Sequence, residues 1–222
     1  MYGCVGVQLM LTPLWLKRLL IPVAFRYPRS RLQAERLYIA MKSISETAHL
    51  GGDILEVGCY QCGTAEILLE YAINTDAGRR YVGIDTFSGF VRGHFESDCR
   101  AGLARQVRYN FASNSKGFVQ ALLRYHGVSG IELVQGDICS LDLSAITKGV
   151  SFCLMDVDLE VPTYMGLRKV WELLECGGIT LVDDCIQGSG WVGARRGFHA
   201  FVKEYGLPET IMNGLGVLRK PA

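Results

Sequence analysis

Five short apolar runs, each ending in or near an acidic residue, constrain this chain more than any other feature. They occupy 53–58, 80–85, 131–135, 150–156 and 178–183. Each has the length of a strand, and none alternates cleanly between apolar and polar residues, as expected of strands covered on both faces. Between them the spacing changes. Apolar residues such as Ile67, Leu68 and Tyr71 recur at helical intervals after the first run, and further helical stretches are expected at 100–111, 118–125, 163–174 and 195–205. This alternation predicts a doubly wound α/β fold with a mostly parallel sheet. An earlier helix is expected over 29–50, with Leu37, Ala40, Met41 and Ile44 facing inward and Gly51 and Gly52 ending it. Near the end, Asn213-Gly214 lies between two short strand-like runs and predicts a hairpin, so the sheet should close on an antiparallel edge.

At 222 residues the chain suits one core, and 49% hydrophobic with 20% charged residues excludes a disordered chain. The net charge of +1 is spread among both signs, so nucleic acid is not an expected partner. Cys59, Cys139, Cys153 and Cys176 lie in or beside apolar runs, which suits free thiols in a reducing cytoplasm. Residues 1–28 form an apolar arm ahead of the domain at 29–222. Lys17, Arg18, Pro13 and Pro22 interrupt it too often for a membrane span. Trp15, Leu16, Leu19 and Leu20 suit packing against a second copy, giving a homo-oligomer, or contact with a membrane surface. Residues 86–130, rich in Gly, Ser, Asn and Phe, are expected to cap a pocket.

In an open parallel sheet, ligands bind beyond the carboxyl ends of the strands, where the strand order reverses. The strand-end acids should gather there. Glu56-Val-Gly-Cys-Tyr-Gln-Cys-Gly63 is a strand and its turn, opening onto a helix whose first N–H groups are free. Tyr60 stands where a dinucleotide-binding turn wants its middle glycine, which disfavours pyrophosphate. One such turn with Asp85 at the next strand end suits S-adenosylmethionine, whose ribose hydroxyls donate to a carboxylate. A structural glycine turn is the plainer alternative. Asp137, after the third run, would accept from an adenine amino group or cap a turn.

Two later segments carry paired acids: Asp156-Val-Asp158 and Asp183-Asp184. Carboxylates collected at one sheet edge repel one another unless they are protonated or bridged by a hard, oxygen-preferring cation such as Mg2+. Helix capping and salt bridges are the competing explanation. Either Asp156 or Asp158 would join Asp183 and Asp184 on the metal, leaving the other to orient ligands or take a proton. His199 and His94 are further base candidates.

From Arg36 to Leu207 the chain resembles the macrocin O-methyltransferase family. The resemblance rests on Glu56-Val-Gly-Cys-Tyr-Gln-Cys-Gly-Thr-Ala65, on Asp85-Thr-Phe-Ser-Gly-Phe90, and on Asp156-Val-Asp-Leu-Glu-Val-Pro-Thr163 followed by Gly177-Gly178 and Asp183-Asp184. The segment 193–201 is similar to the family's next helix. The resemblance implies a Rossmann-like class I methyltransferase fold, S-adenosylmethionine, magnesium and a small-molecule hydroxyl acceptor, with transfer to a sugar or related natural product. The cofactor set it implies is Glu56, Gly58, Tyr60, Gly63, Thr64, Asp85, Ser88, Asp137 and Ile138. Glu160 departs from the family's tyrosine, and 114–130 does not follow its pattern.

Rival functions remain open on the sequence: a non-catalytic module that keeps the fold, or a transferase working without metal. Cys59-x-x-Cys62 has redox spacing, but it lies inside the cofactor turn and no second such pair exists for zinc. Leu159 stands where catechol methyltransferases carry a lysine base, so that base is not expected.

Overall fold

A computed structural model describes residues 30–75, 78–104, 111–186 and 192–221. The arm at 1–28, with its oligomer and membrane readings, lies outside these residues. In chain order the elements are α1 (Ala34–Glu46), β1 (Asp53–Val57), α2 (Gly63–Thr75), β2 (Tyr81–Asp85), α3 (Arg92–Arg100), α4 (Lys116–His126), β3 (Ile131–Gln135), α5 (Leu143–Ile146), β4 (Val150–Met155), α6 (Glu160–Leu173), β5 (Leu174–Val182), α7 (Val192–Glu204), β6 (Thr210–Met212) and β7 (Leu215–Arg219). No helix among the described residues is long and apolar enough to cross a membrane.

The seven strands form one sheet in the order β3-β2-β1-β4-β5-β7-β6. The first five are parallel, and β7 runs antiparallel to β5 and β6. The doubly wound sheet with an antiparallel edge is therefore present as read from the sequence. Strand order reverses between β1 and β4, which opens a crevice at their carboxyl ends.

Side-chain alternation divides the core. On β1 and β4, Ile54, Phe152 and Leu154 pack on one face under α1, α2 and α4, with Ile44, Leu68 and Val119. Leu55, Val57, Cys153 and Met155 face the other layer, with Leu167 and Val170 of α6 and Phe198 and Phe201 of α7. Period-two alternation with both faces covered is why these strands read as unbroken apolar runs. In the β6–β7 turn Asn213 and Gly214 both have positive φ, 49° and 85°, the pair of conformations a tight twisted hairpin requires.

Of the boundaries that differ from the sequence reading, three have a local cause. A helix is expected at 100–111: residues 101–104 are not helical, 105–110 lie outside the described residues, and the helix of this region is α3, at Arg92–Arg100. Gly102, with φ of 70°, ends it, as Leu103 N–H donates to the Asp98 carbonyl and Gly102 N–H to that of Cys99. Helix α6 begins at Glu160, ahead of Pro162 rather than after it. A proline costs little in the first turn, where its missing N–H has no intrahelical partner. Strand β5 begins at Leu174, and the register with β4 jumps from Val150 opposite Leu174 to Phe152 opposite Ile179. Gly177, at φ 83°, lets the intervening residues bulge.

Candidate active site

The turn after β1 is fixed by backbone packing. Gly58 N–H donates to the Ile84 carbonyl at 2.8 Å, and Asp156 N–H donates to the Val57 carbonyl at 2.7 Å. A Cβ on Gly58 would lie 1.8 Å from the Asp156 carbonyl oxygen, and φ there is 93°. Only glycine allows β1's turn to lie this close to the end of β4. Seven non-glycine residues among those described have positive φ, and five of them, Tyr60, Cys62, Phe87, Asp158 and Asp184, sit in the turns after β1, β2, β4 and β5. Strain of ~1–3 kcal/mol per residue is concentrated at one sheet edge, which makes that edge the candidate site.

Asp85 closes β2 beside this turn. Its Oδ2 accepts the Tyr60 N–H at 2.8 Å and its Oδ1 the Phe87 N–H at 2.6 Å. Burial raises its pKa, and these N–H donors pull the other way. Oδ1 also lies 3.5 Å from the Thr86 hydroxyl, so Oδ2 is the oxygen with capacity for a further donor. Asp137, after β3, accepts the Cys139 N–H at 3.0 Å through Oδ1 and lies 3.1 Å from His94 Nε2 through Oδ2. Burial pushes it upward, but the Cys139 N–H and His94 outweigh that and hold it below the ordinary carboxylate value. His94 thus stands beside the adenine-reading candidate, a placement its sequence position on α3 did not reveal.

The other expected cofactor residues have distinct surroundings. Glu56 is 2% exposed and lies beneath the turn, accepting the Tyr81 hydroxyl at 2.5 Å. Burial raises its pKa to about 7, against the pull of Tyr81 and with help from Asp85. Gly63 and Thr64 open α2, with the Thr64 hydroxyl 2.8 Å from that of Ser30. Ser88 is exposed, its N–H donating to Thr86 Oγ1. Ile138 is buried against Gly166, and its carbonyl accepts Lys169 Nζ at 2.8 Å. The Cys59 and Cys62 thiols are free and buried. Their mutual hydrogen bond, followed by burial, holds Cys59 far above the ordinary thiol value, which disfavours the thiolate that redox chemistry needs.

Asp156 and Asp158 follow β4, and Asp183 and Asp184 follow β5. Burial raises Asp156 and Asp158 well above the carboxylate range. Asp183 adds most to the shift at Asp156, and Asp184 to that at Asp158, with which Asp158 also shares a hydrogen bond. Asp183 is raised by burial and by Asp184, against the opposing effect of Arg36. Arg36, on α1, is 7% exposed. Its Nη1 lies 2.5 Å from Asp183 Oδ1 and 3.6 Å from Asp184 Oδ1, and its Nε donates to the Asn213 carbonyl at 3.0 Å. Sequence reasoning missed it. The available signal was an arginine on the same stripe as Ile39, Ala40, Ser43 and Ile44, the buried face of an amphipathic helix.

Among the described residues Arg36 is the one cation within ion-pair distance of these four acids. The excess negative charge fits a hard divalent ion. The spacing is looser than a formed site. Among the described residues, the ligand atoms that gather in a trio within 4.8 Å are those of His94, Asp137 and Cys139, not those of the four aspartates. His199 is not brought to the cluster. It lies on the exposed side of α7, with Nδ1 3.0 Å from Glu209.

The strand order with its antiparallel β7 is that of a Rossmann-like fold. Solved structures with the same fold include the O-methyltransferase NovP, 15% identical over 88% of this chain and 84% of that one, with a TM-score of 0.71. The calicheamicin methyltransferase CalS11 is 22% identical over 96% of this chain and 89% of its own, with a TM-score of 0.69. The Podospora anserina methyltransferase PaMTH1, solved with SAH bound, is 14% identical over 95% and 89%, with a TM-score of 0.56. No family model and no curated protein sequence matches the chain.

Proposed function

We propose that this chain is an S-adenosylmethionine-dependent O-methyltransferase that acts on a hydroxyl of a small molecule or sugar-bearing natural product, with divalent-cation assistance. One observation carries the reading: the strand-end carboxylates fall into two sets on either side of the reversal point. Asp85 and Asp137, at the ends of β2 and β3, suit ribose hydroxyls and an adenine amino group. Asp156, Asp158, Asp183 and Asp184, at the ends of β4 and β5, lie across the glycine turn, where an acceptor would meet the donor's methyl carbon. The similar fold of NovP, an O-methyltransferase, and of CalS11, a TDP-rhamnose 3′-O-methyltransferase of calicheamicin biosynthesis, supports a hydroxyl acceptor.

Transfer from a sulfonium is an in-line displacement, so the protein's task is alignment and removal of the hydroxyl proton. The turn at 58–63 and Asp85 align the donor. Asp156 or Asp158, each raised above the ordinary carboxylate range mainly by burial, is a stronger base than a free aspartate and a candidate proton acceptor. The remaining acids of the cluster would hold Mg2+, which supplies Lewis-acid stabilisation of the developing alkoxide. A metal-independent version of the same transfer is favoured by the loose spacing of these carboxylates and by Arg36 on Asp183. Labelled methyl transfer to a panel of hydroxylated acceptors tests the activity. Repeating it with chelator and with added Mg2+ separates the two versions, and consumption of no donor with any acceptor would favour a non-catalytic module.

A further inference from the structure

Arg31, just ahead of α1, is an exposed cation beside the cofactor turn. Its guanidinium lies over the rings of Tyr60 and Phe111, 5.4 and 5.5 Å from their centroids, and among the described residues no carboxylate pairs with it. The two rings meet edge to face at 5.1 Å, forming a frame that orients the guanidinium. Buried Ser30 fixes the backbone on either side. Its Oγ accepts the Leu32 N–H at 3.0 Å and lies 2.8 Å from Thr64 Oγ1, the second residue of α2. Arg31 is therefore held next to the N-terminus of α2, where helical N–H groups lack internal partners and the dipole favours an anion.

A second orphan flanks the same turn. Asn114 Nδ2 donates to the Tyr60 carbonyl at 2.9 Å, while its Oδ1 is buried with no hydrogen-bond partner. An unpaired cation and an unfilled acceptor on either side of Tyr60 complement a ligand group with both an anionic and a donor end. With a nucleoside spanning Asp85 and Asp137, the chain leaving the ribose 5′ carbon must run along 58–63, because Tyr60 N–H is bonded to Asp85 itself. An α-amino acid head group at the end of that chain supplies a carboxylate and an ammonium.

We propose that Arg31 is the residue that recognises the donor's carboxylate, a role that rests on the methyl-donor reading above. The test uses the full chain and two probes in calorimetry: S-adenosylhomocysteine, and 5′-methylthioadenosine, which keeps the nucleoside and lacks the amino acid. In the wild type the first binds more tightly than the second. Arg31→Ala is expected to weaken S-adenosylhomocysteine by about tenfold or more, the scale of a lost charge-assisted hydrogen bond, while methylthioadenosine stays within about twofold. Arg31→Lys, which keeps the charge and loses the planar fork, falls between. Equal weakening of both probes would overturn the proposal, showing that Arg31 only props Tyr60 and through it Asp85. An unchanged S-adenosylhomocysteine affinity overturns it as well. Wild-type protein that binds neither probe rejects the donor reading itself, whereas equal binding of the two rejects the Arg31 assignment alone.

Discussion

Replacing Glu56 with glutamine should change how stability depends on pH, and the size of the change follows from where the carboxyl sits. Its pKa rises from 4.5 to about 7 in the folded protein, mainly through burial. At ~1.4 kcal/mol per unit, that difference is about 3 kcal/mol. A carboxyl with a raised folded pKa binds its proton more tightly when folded, so its stabilising effect is complete below pH 4.5 and is lost as pH rises through about 7. Glu56→Gln removes this titration while its amide oxygen still accepts the Tyr81 hydroxyl. Urea unfolding of both proteins from pH 4.5 to 8 should show near-equal stability at the acid end and a mutant more stable by about 3 kcal/mol at the alkaline end. Neighbouring Asp85 and Asp156 titrate in both proteins and largely cancel in the difference. Parallel stability curves would refute the reasoning, because they would mean that Glu56 is ionised in the folded protein and has a compensating partner.

Three further outcomes test other parts of the site. Asp85→Ala should weaken S-adenosylmethionine by ~1–3 kcal/mol in calorimetry, and unchanged affinity in a folded variant removes Asp85 from the cofactor site. Asp183→Asn and Asp184→Asn should lower Mg2+ affinity and turnover together while S-adenosylmethionine still binds; full turnover by chelated wild type rejects the metal. Deleting residues 1–28 should convert an oligomer to monomers in light scattering if the apolar arm joins copies, and flotation of the full chain with liposomes tests the membrane-surface alternative.

The strands were legible because burial on both faces leaves so little choice of residue: 131–135 coincides with β3, and the runs at 53–58, 80–85 and 150–156 each exceed their strand by one residue. The hairpin was legible because Asn213-Gly214 is a local signal. Residues 101–104 are not helical because α3 is stopped by a glycine whose effect depends on backbone conformation, and α6 starts three residues earlier than expected because Pro162 is tolerated in its first turn. Strand-end acids could be read from position alone, since topology brings every carboxyl end to one edge. Arg36, His94 and Arg31 could not be read that way. Each acquires meaning from a partner distant in sequence: Asp183 for Arg36, Asp137 for His94, Phe111 for Arg31. Spacing within one segment carries no trace of such pairs.

The placement of Arg36 has a consequence for how the protein is made. Its two carboxylate-side and carbonyl partners, Asp183 and Asn213, lie 147 and 177 positions further along the chain. At roughly 5–20 residues per second, the ribosome delivers Asp183 some ~7–30 s after Arg36 has been synthesised. Through that interval α1 carries on its core-facing stripe a guanidinium with neither of these partners, so its docking on β1 and β4 would desolvate an uncompensated charge. The helix made first among those described is thereby discouraged from settling until the β6–β7 turn has emerged, and a nascent chain stalled before that turn would hold the acid cluster without the carbonyl that anchors its only described counter-ion.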